Sequence, residues 1–370
     1  MPRILISGYY GFNNAGDDVV LYGIISSLRR EQPHISLSVL SNQPKRTTSL
    51  FGIPAFDRWN LKTIVRELKK SDLLVMGGGT LMQDVTSPRS VLYYLGIVTI
   101  AKMLGKPVVF YAQGFGPILK SFSRFMIKQV VNRVDVITVR DYESGEDFKR
   151  CGVTKAPLYV TADPALTIHP SEVPIERGKE LLEGLFDDLT KPLIIFSVRD
   201  WKQEQHFKSV IAEAADTYVE KGWNVLFLPM HYPSDIAPSQ EILAQMKNPG
   251  AALIEEHLNF HDIMSLLKLG SYVVGMRLHS LILACMLHVP FLGISYDPKI
   301  DRFVQRSEMP CAGHITELDT KSFISLLHER TENREQEQQI VIKTSQLLAK
   351  EAKKSSELVL QALSHKPEQN

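Results

Sequence analysis

Arg277 and His279 stand two residues apart at a turn between a short apolar strand and an apolar helix, in Val274-Gly275-Met276-Arg277-Leu278-His279-Ser280-Leu281. The first N–H groups of a helix are unpaired and its dipole is positive there, so this terminus favours anions. An arginine beside it makes a phosphate or carboxylate site, and a histidine adds a proton that can be given near neutral pH. Two further cations follow apolar strands in the same half of the chain. Arg199 lies in Ser197-Val198-Arg199-Asp200-Trp201, and Lys299 in Ser295-Tyr296-Asp297-Pro298-Lys299. Arg199, Arg277, His279 and Lys299 around one cleft would suit a small ligand carrying several negative charges. Arg140, in Val139-Arg140-Asp141, is a fifth candidate from the other half. The plainer alternatives are ion pairs, of Arg140 with Asp141 or Glu143 and of Lys299 with Asp301.

The first half offers glycines, amides and carboxylates instead. Gly8-Tyr9-Tyr10-Gly11-Phe12-Asn13-Asn14-Ala15-Gly16-Asp17-Asp18 follows a strand and opens a helix. Its spacing is not the G-x-G-x-x-G of a dinucleotide loop, and two carboxylates there would repel a pyrophosphate. Tyr10, Asn14, Asp17 and Asp18 suit the hydroxyl groups of a sugar. The alternative for either aspartate is a helix cap. Gly77-Gly78-Gly79-Thr80-Leu81-Met82-Gln83-Asp84 permits close backbone approach, with Gln83 and Asp84 expected to face the cleft. Gln113-Gly114-Phe115-Gly116-Pro117 is expected to shape its floor. No G-x-x-x-x-G-K-[ST] loop occurs, which argues against a nucleotide kinase, and no Asp-x-Asp stands in a loop to bridge a metal to a nucleotide-sugar. His257 and His261 sit near Glu255 and Glu256 at a helix start and are not read as a metal site.

The elements that must position these loops alternate. Strands are expected at 3–8, 35–40, 72–76, 107–112, 135–139 and 158–161, with helices at 17–30, 61–70, 90–104, 121–133 and 142–150. Proline and polar residues interrupt the pattern over 167–191. It resumes with strands at 192–198, 223–228, 251–255, 271–275 and 290–294 and helices at 203–221, 237–247, 260–268, 278–287, 298–306 and 319–328. Such alternation implies parallel strands joined by right-handed crossovers. The expected organisation is α/β: a Rossmann-like domain over 1–168, a linker over 169–191, and a second doubly wound domain over 192–330. A helix and tail over 331–370 would pack across both domains. The two domains would face a cleft, and in open parallel sheets ligands lie beyond the carboxyl ends of the strands.

The chain has 370 residues, 22% charged and 44% hydrophobic, with a formal net charge of +1. That balance suits a soluble protein and suggests neither nucleic acid nor an acidic membrane as an overall partner. Cys151, Cys285 and Cys311 form no disulfide framework, which implies a reducing compartment. No signal peptide is read at the start, and residues 278–294 are too interrupted for a membrane span.

Gly8-Tyr9-Tyr10-Gly11 with Asn14 and Gly16-Asp17, then Gly77-Gly78-Gly79-Thr80, then Gln113-Gly114-Phe115-Gly116-Pro117, then Arg277-Leu278-His279-Ser280, occur in that order. Together they resemble the polysaccharide pyruvyl transferase family, over roughly residues 3–310. The look is nearest to the bacterial CsaB type, which modifies a secondary cell-wall polysaccharide. The resemblance implies a two-domain, glycosyltransferase-like (GT-B-like) fold. The implied donor is phosphoenolpyruvate and the implied acceptor N-acetylmannosamine of a lipid-linked disaccharide. The implied product is a 4,6-linked pyruvate ketal serving S-layer anchoring. No metal or cofactor is implied.

Arg277 and His279 carry over by motif; Arg199 matches more loosely; Lys299 and Arg140 rest on the cleft argument. In this scheme His279 protonates the donor, Lys299 or an arginine stabilises departing phosphate, and Asp17 or Asp84 takes the proton of the sugar hydroxyl. The rival readings are a nucleotide-sugar-dependent glycosyltransferase of the same architecture and a non-catalytic binder of a phosphorylated sugar. The expected location is cytoplasmic, touching the inner membrane face through helix 91–104 or through Lys120, Arg124 and Lys128. The alternative is that 91–104 is core and the basic residues are a solvated helix face.

Overall fold

The computed structural model describes residues 1–84 and 88–364. By their contacts these fall into two units, one of 1–13, 17–167 and 348–364, the other of 14–16 and 168–347.

The first unit holds a parallel sheet. Its strands are β1 (Arg3–Ser7), β2 (Ser36–Ser41), β3 (Ala55–Asp57), β4 (Leu73–Met76), β5 (Gly79–Met82), β6 (Val108–Phe115), β7 (Val136–Val139) and β8 (Leu158–Val160). They are ordered β3-β2-β1-β4-β6-β7-β8, with β5 paired to β6. Strands such as Ile4-Leu5-Ile6 and Leu73-Leu74-Val75-Met76 are fully buried, as expected of strands covered by helices on both faces. Each such side chain contributes about 1.5–3 kcal/mol of burial. Polar residues fix the helix starts: Asn60 accepts from the Thr63 amide at 3.0 Å, and Asp141 from the Ser144 amide at 2.7 Å. Helix Pro88–Met103 turns Val91, Tyr94, Leu95, Ile97, Val98 and Ala101 into the core. The expectation that 91–104 meets a membrane therefore fails at those positions.

The second unit repeats the plan. Its strands are β9 (Leu193–Ser197), β10 (Asn224–Phe227), β11 (Ala251–Leu253), β12 (Tyr272–Gly275), β13 (Phe291–Ser295) and β14 (Cys311–His314). Their order is β11-β10-β9-β12-β13-β14, all parallel. Within the segment 169–191 stands helix Glu176–Glu183, whose Gly178 amide donates to Ser265 Oγ at 2.8 Å. A side chain at Gly178 would run into Ser265, so glycine lets the two helices touch. Helix Arg334–Ser364 contributes 334–347 to the second unit and 348–364 to the first.

The strand orders matter for function. In the first sheet the direction of winding reverses between β1 and β4, and in the second between β9 and β12. A crevice opens at such a reversal beyond the carboxyl ends, where crossovers leave in opposite directions. The loops after β1, β4, β9 and β12 are therefore the ones to build a site from.

Candidate functional site

In the second unit the reversal places Arg199 after β9 and Arg277 and His279 after β12. Arg277 is the N-cap of helix Leu278–Met286 and gives its first turn no side-chain cap. His279 is the second helical residue, and its Nε2 is shielded from solvent. A side chain at Gly275 would strike Ser280 and Leu281, so glycine lets the helix start tight against its own strand.

Arg277 is placed otherwise than expected. Its guanidinium forks onto Asp235, with Nε donating at 2.9 Å and Nη2 to the other oxygen. The Arg277 side chain is 15% exposed and that of Asp235 1%. Asp235 also accepts from the amides of Met230 at 3.2 Å and His231 at 3.0 Å. This pair fixes the loop after β10, leaving Nη1 as the nitrogen not engaged by Asp235. The same loop receives Asn14–Gly16: Ala15 donates to the Met230 carbonyl at 3.0 Å and Asn14 bridges to His231. A Cβ on Gly16 would overlap Nδ1 and Cγ of His279, so the imidazole packs directly against a glycine. Asn14, expected to bind a hydroxyl, turns its Oδ1 to the Gly16 amide at 3.1 Å. The chain of contact runs Arg277, Asp235, loop 230–235, Gly16, His279. Gly16→Ala is accordingly expected to displace the imidazole and cut turnover by roughly 10–100-fold. Circular dichroism should stay native, and kcat on the purified variant is the check.

Arg199 and Lys299 meet at Tyr296. Arg199 Nη1 donates to the Tyr296 hydroxyl at 3.1 Å and its guanidinium carbon lies 4.9 Å from the ring centre. Lys299 Nζ is 5.5 Å from that centre and 3.4 Å from Asp297, not paired with Asp301. Asp301 instead accepts from Ser295 Oγ at 2.6 Å. Trp201 closes the cluster, 4.7 Å from Tyr296. The strands that carry these groups, β9, β12 and β13, are neighbours.

In the first unit Tyr10 occupies the reversal between β1 and β4. It is 1% exposed, and a Cβ on Gly77 would overlap its hydroxyl. That hydroxyl has no hydrogen-bond partner among the described residues. Burial, and next the charge of Asp17, push the Tyr10 phenol well above its ordinary value. Asp17 Oδ1 lies 3.2 Å from where a Cβ of Gly79 would stand. Asp18 is buried and paired with Arg46 at 3.2 Å; burial raises its carboxyl and Arg46 opposes this. Asp84 is turned to structure. Its oxygens accept the amides of Leu119 at 2.7 Å and Lys120 at 3.0 Å. Burial alone would raise this carboxyl, but those amides and Ser123 outweigh it and hold it below the usual range. A carboxylate so engaged is a poor base, which leaves Asp17 the better candidate. Gln83 packs over Gly116. Arg140 is buried over Gly114, donates to Thr80 Oγ1 at 3.2 Å, and stands 3.7 Å from Asp141 and from Asp163.

One cluster had no advance notice. Arg58, buried, donates to the Gly8 carbonyl at 2.9 Å and lies 4.4 to 5.4 Å from the ring centres of Phe12, Trp59, Tyr93 and Tyr94. Tyr9 stacks on Phe12 at 4.1 Å, and Tyr9 and Trp59 are exposed. Among the described residues no group of three His, Cys, Asp or Glu could hold a metal ion.

Residues 14–298 match the family model for polysaccharide pyruvyl transferase. The chain belongs to the polysaccharide pyruvyl transferase family. The amylovoran biosynthesis protein AmsJ of Erwinia amylovora is 21% identical to it, over 91% of this chain and 94% of AmsJ. Among solved structures, UDP-GlcNAc 2-epimerase of Neisseria meningitidis, bound to UDP-GlcNAc, superposes with a TM-score of 0.66 at 13% identity, covering 98% of this chain and 100% of the other. Anabaena HepE in complex with UDP-glucose gives 0.66 at 12% identity, with the same coverage. At these identities the likeness is one of fold, two Rossmann-like domains of the GT-B kind.

A polysaccharide pyruvyl transferase is a transferase that works with a pyruvyl donor and a polysaccharide acceptor. Of the residues named from sequence as cations for the donor, Arg277 is paired with Asp235, while Arg199 and Lys299 both lie against Tyr296. Trp201 and Tyr296 stood in the quoted loops beside those cations, and their aromaticity was the available signal. Asp235, in Tyr232-Pro233-Ser234-Asp235, carried none, because a carboxylate's partner across two crossovers cannot be read from spacing.

Proposed function

We propose that this chain transfers the pyruvyl group of phosphoenolpyruvate to a sugar as a 4,6-ketal and releases phosphate. The acceptor we propose is N-acetylmannosamine of a lipid-linked disaccharide destined for secondary cell-wall polysaccharide, in the service of S-layer anchoring. The reading rests on one observation above all: a histidine seated at an uncapped helix N-terminus, at the reversal of a parallel sheet, with Arg199 and Lys299 leaving the adjacent strands. Phosphoenolpyruvate has a carboxylate and a phosphate, and the helix terminus and these cations match both.

The reaction balances without a redox step. His279 gives a proton to C3 of the enol while a sugar hydroxyl adds to C2, its proton passing to Asp17. A second hydroxyl of the same sugar then displaces phosphate from C2 and closes the ketal, and its proton leaves with the phosphate. Arg199 and Lys299 stabilise the departing charge. Asp17 meets the acceptor's hydroxyls; Tyr10, expected there from sequence, is instead sealed from solvent against Gly77 and supports the loop by packing, while the exposed faces of Tyr9 and Trp59 suit the apolar face of a pyranose.

The relatives of known structure that hold UDP or UDP-sugars motivate the second reading, a nucleotide-sugar-dependent glycosyltransferase. Incubation with a lipid-linked amino-sugar disaccharide separates the two. Phosphoenolpyruvate should yield inorganic phosphate and an acceptor heavier by one pyruvyl ketal, with UDP-sugars inert. Sugar transfer from a UDP-sugar, with phosphoenolpyruvate untouched, would overturn the proposal.

A further inference from the structure

Between Asp84 and Asp135 the chain has no acidic residue and seven basic ones. Two packed helices of the first unit, Pro88–Met103 and Ser121–Val131, come from this stretch. The second helix buries Ser123, Ile127, Val130 and Val131 and turns its other side outward. On that outer side Phe122 is 61% and Phe125 57% exposed; Leu119, just before the N-cap, is 74% exposed, and Met103 at the end of the neighbouring helix 81%. Lys120, Arg124 and Lys128 are exposed beside them, spaced by four so that they follow one flank of the helix. A cavity of about 270 Å³, lined by Thr99, Lys102, Met103, Val130 and Arg133, lies between the two helices and adds Arg133 to the same basic surroundings.

Single exposed apolar residues are ordinary; two large ones on one helix face with a third just before its N-cap, interleaved with three cations, are not. We propose that this face, Leu119, Phe122 and Phe125 with Lys120, Arg124 and Lys128, docks the protein onto an anionic phospholipid bilayer. The apolar side chains are more than half exposed, which suits insertion at the boundary of headgroups and acyl chains. The cations match phosphate headgroups; Asp84 is turned inward onto the amides of Leu119 and Lys120, and Asp135, the acid nearest in sequence, is engaged by Lys102 at 2.8 Å and by the Val108 amide at 2.7 Å. Among the described residues no helix is long and apolar enough to cross a membrane, so the attachment is peripheral. The inference stands apart from pyruvyl transfer, since its readout is the partition of the protein itself.

The test is co-sedimentation of the whole chain with phosphatidylglycerol–phosphatidylcholine vesicles and with pure phosphatidylcholine vesicles. The wild type should partition onto the anionic vesicles, and less so as salt rises. The triple variant K120Q/R124Q/K128Q should lose that partition by on the order of 100-fold, since each basic residue near the surface adds a similar increment. F122S/F125S should weaken it at every salt concentration. Thermal melts of both variants should match wild type, because the positions are exposed. Absence of wild-type partition onto anionic vesicles at low salt would overturn the proposal, as would equal partition of all three proteins. So would a dimer that F125E dissociates in sedimentation velocity, with no vesicle binding, since a second copy would then cover this face.

Discussion

His279→Gln is expected to lower turnover by about 100-fold or more while donor affinity changes far less, because glutamine keeps a hydrogen bond but has no proton to exchange near neutral pH. The expectation follows from position. His279 is anchored at the start of a nine-residue helix whose N-cap, Arg277, gives no side-chain cap. Its ring rests on Gly16, which only a glycine permits. A ring held in this way is oriented before any ligand arrives, and a pre-oriented acid needs no reorganisation at the moment of transfer. Steady-state kcat against the donor's dissociation constant separates the two possible duties. A variant with intact kcat and weakened donor binding would make His279 an anion holder. A variant with lost kcat, intact binding and a flattened pH–rate profile would make it the acid. Gly16→Ala, which moves the ring but keeps the imidazole, should reproduce part of the kcat loss.

The architecture was legible because the signal for a parallel strand is strong. Runs such as Leu73-Leu74-Val75-Met76 and Leu193-Ile194-Ile195-Phe196 are continuously apolar, and each is followed by glycine or polar residues that end it. What escaped was short or half-exposed. Strand Ala55–Asp57, strand Cys311–His314 and helix Pro44–Phe51 pair or pack at the margins, where burial leaves little periodicity. Strand Gly79–Met82 hid inside a glycine loop, since a run that begins with three glycines reads as a turn. Over 169–191 the prolines and polar residues show where the alternation stops, but the contact of Gly178 with Ser265 is tertiary and leaves no mark in the sequence.

The site was legible in its loops and not in its pairings. Strand-end position singled out Arg199, Arg277, His279 and Lys299, and the sheet reversals put those loops where ligands collect. Which cation is committed elsewhere depends on residues far away in sequence. Arg277 meets Asp235, 42 positions earlier, and Arg199 meets Tyr296, 97 positions later. Asp84 was expected in the cleft, yet its amide partners come from Leu119 and Lys120, 35 and 36 positions on. Arg58 gave no sign at all, because four aromatic rings drawn from residues 12 to 94 form its surroundings.

The other large effect is expected at Asp235. Asp235→Ala should lower the stability of the second unit by about 3–5 kcal/mol, the usual cost of removing one member of a buried ion pair. The magnitude is appropriate because the remaining Arg277 is mostly out of water and would lose both Nε and Nη2 acceptors. For a unit of this size the melting transition should fall by on the order of 10 °C. The amides of Met230 and His231 lose their acceptor as well, so the loop that grips Asn14–Gly16 should loosen. Turnover should therefore fall further than donor affinity, since Gly16 would no longer hold the His279 ring. The double variant D235L/R277M distinguishes stability from positioning. Replacing both charges by apolar groups of similar size is often neutral or stabilising, so its melting temperature should return towards wild type. Its kcat should not return, because two apolar side chains cannot accept from the loop amides or restore the grip on residues 14–16. If kcat recovers together with the melting temperature, the pair acts on stability alone and has no part in placing His279.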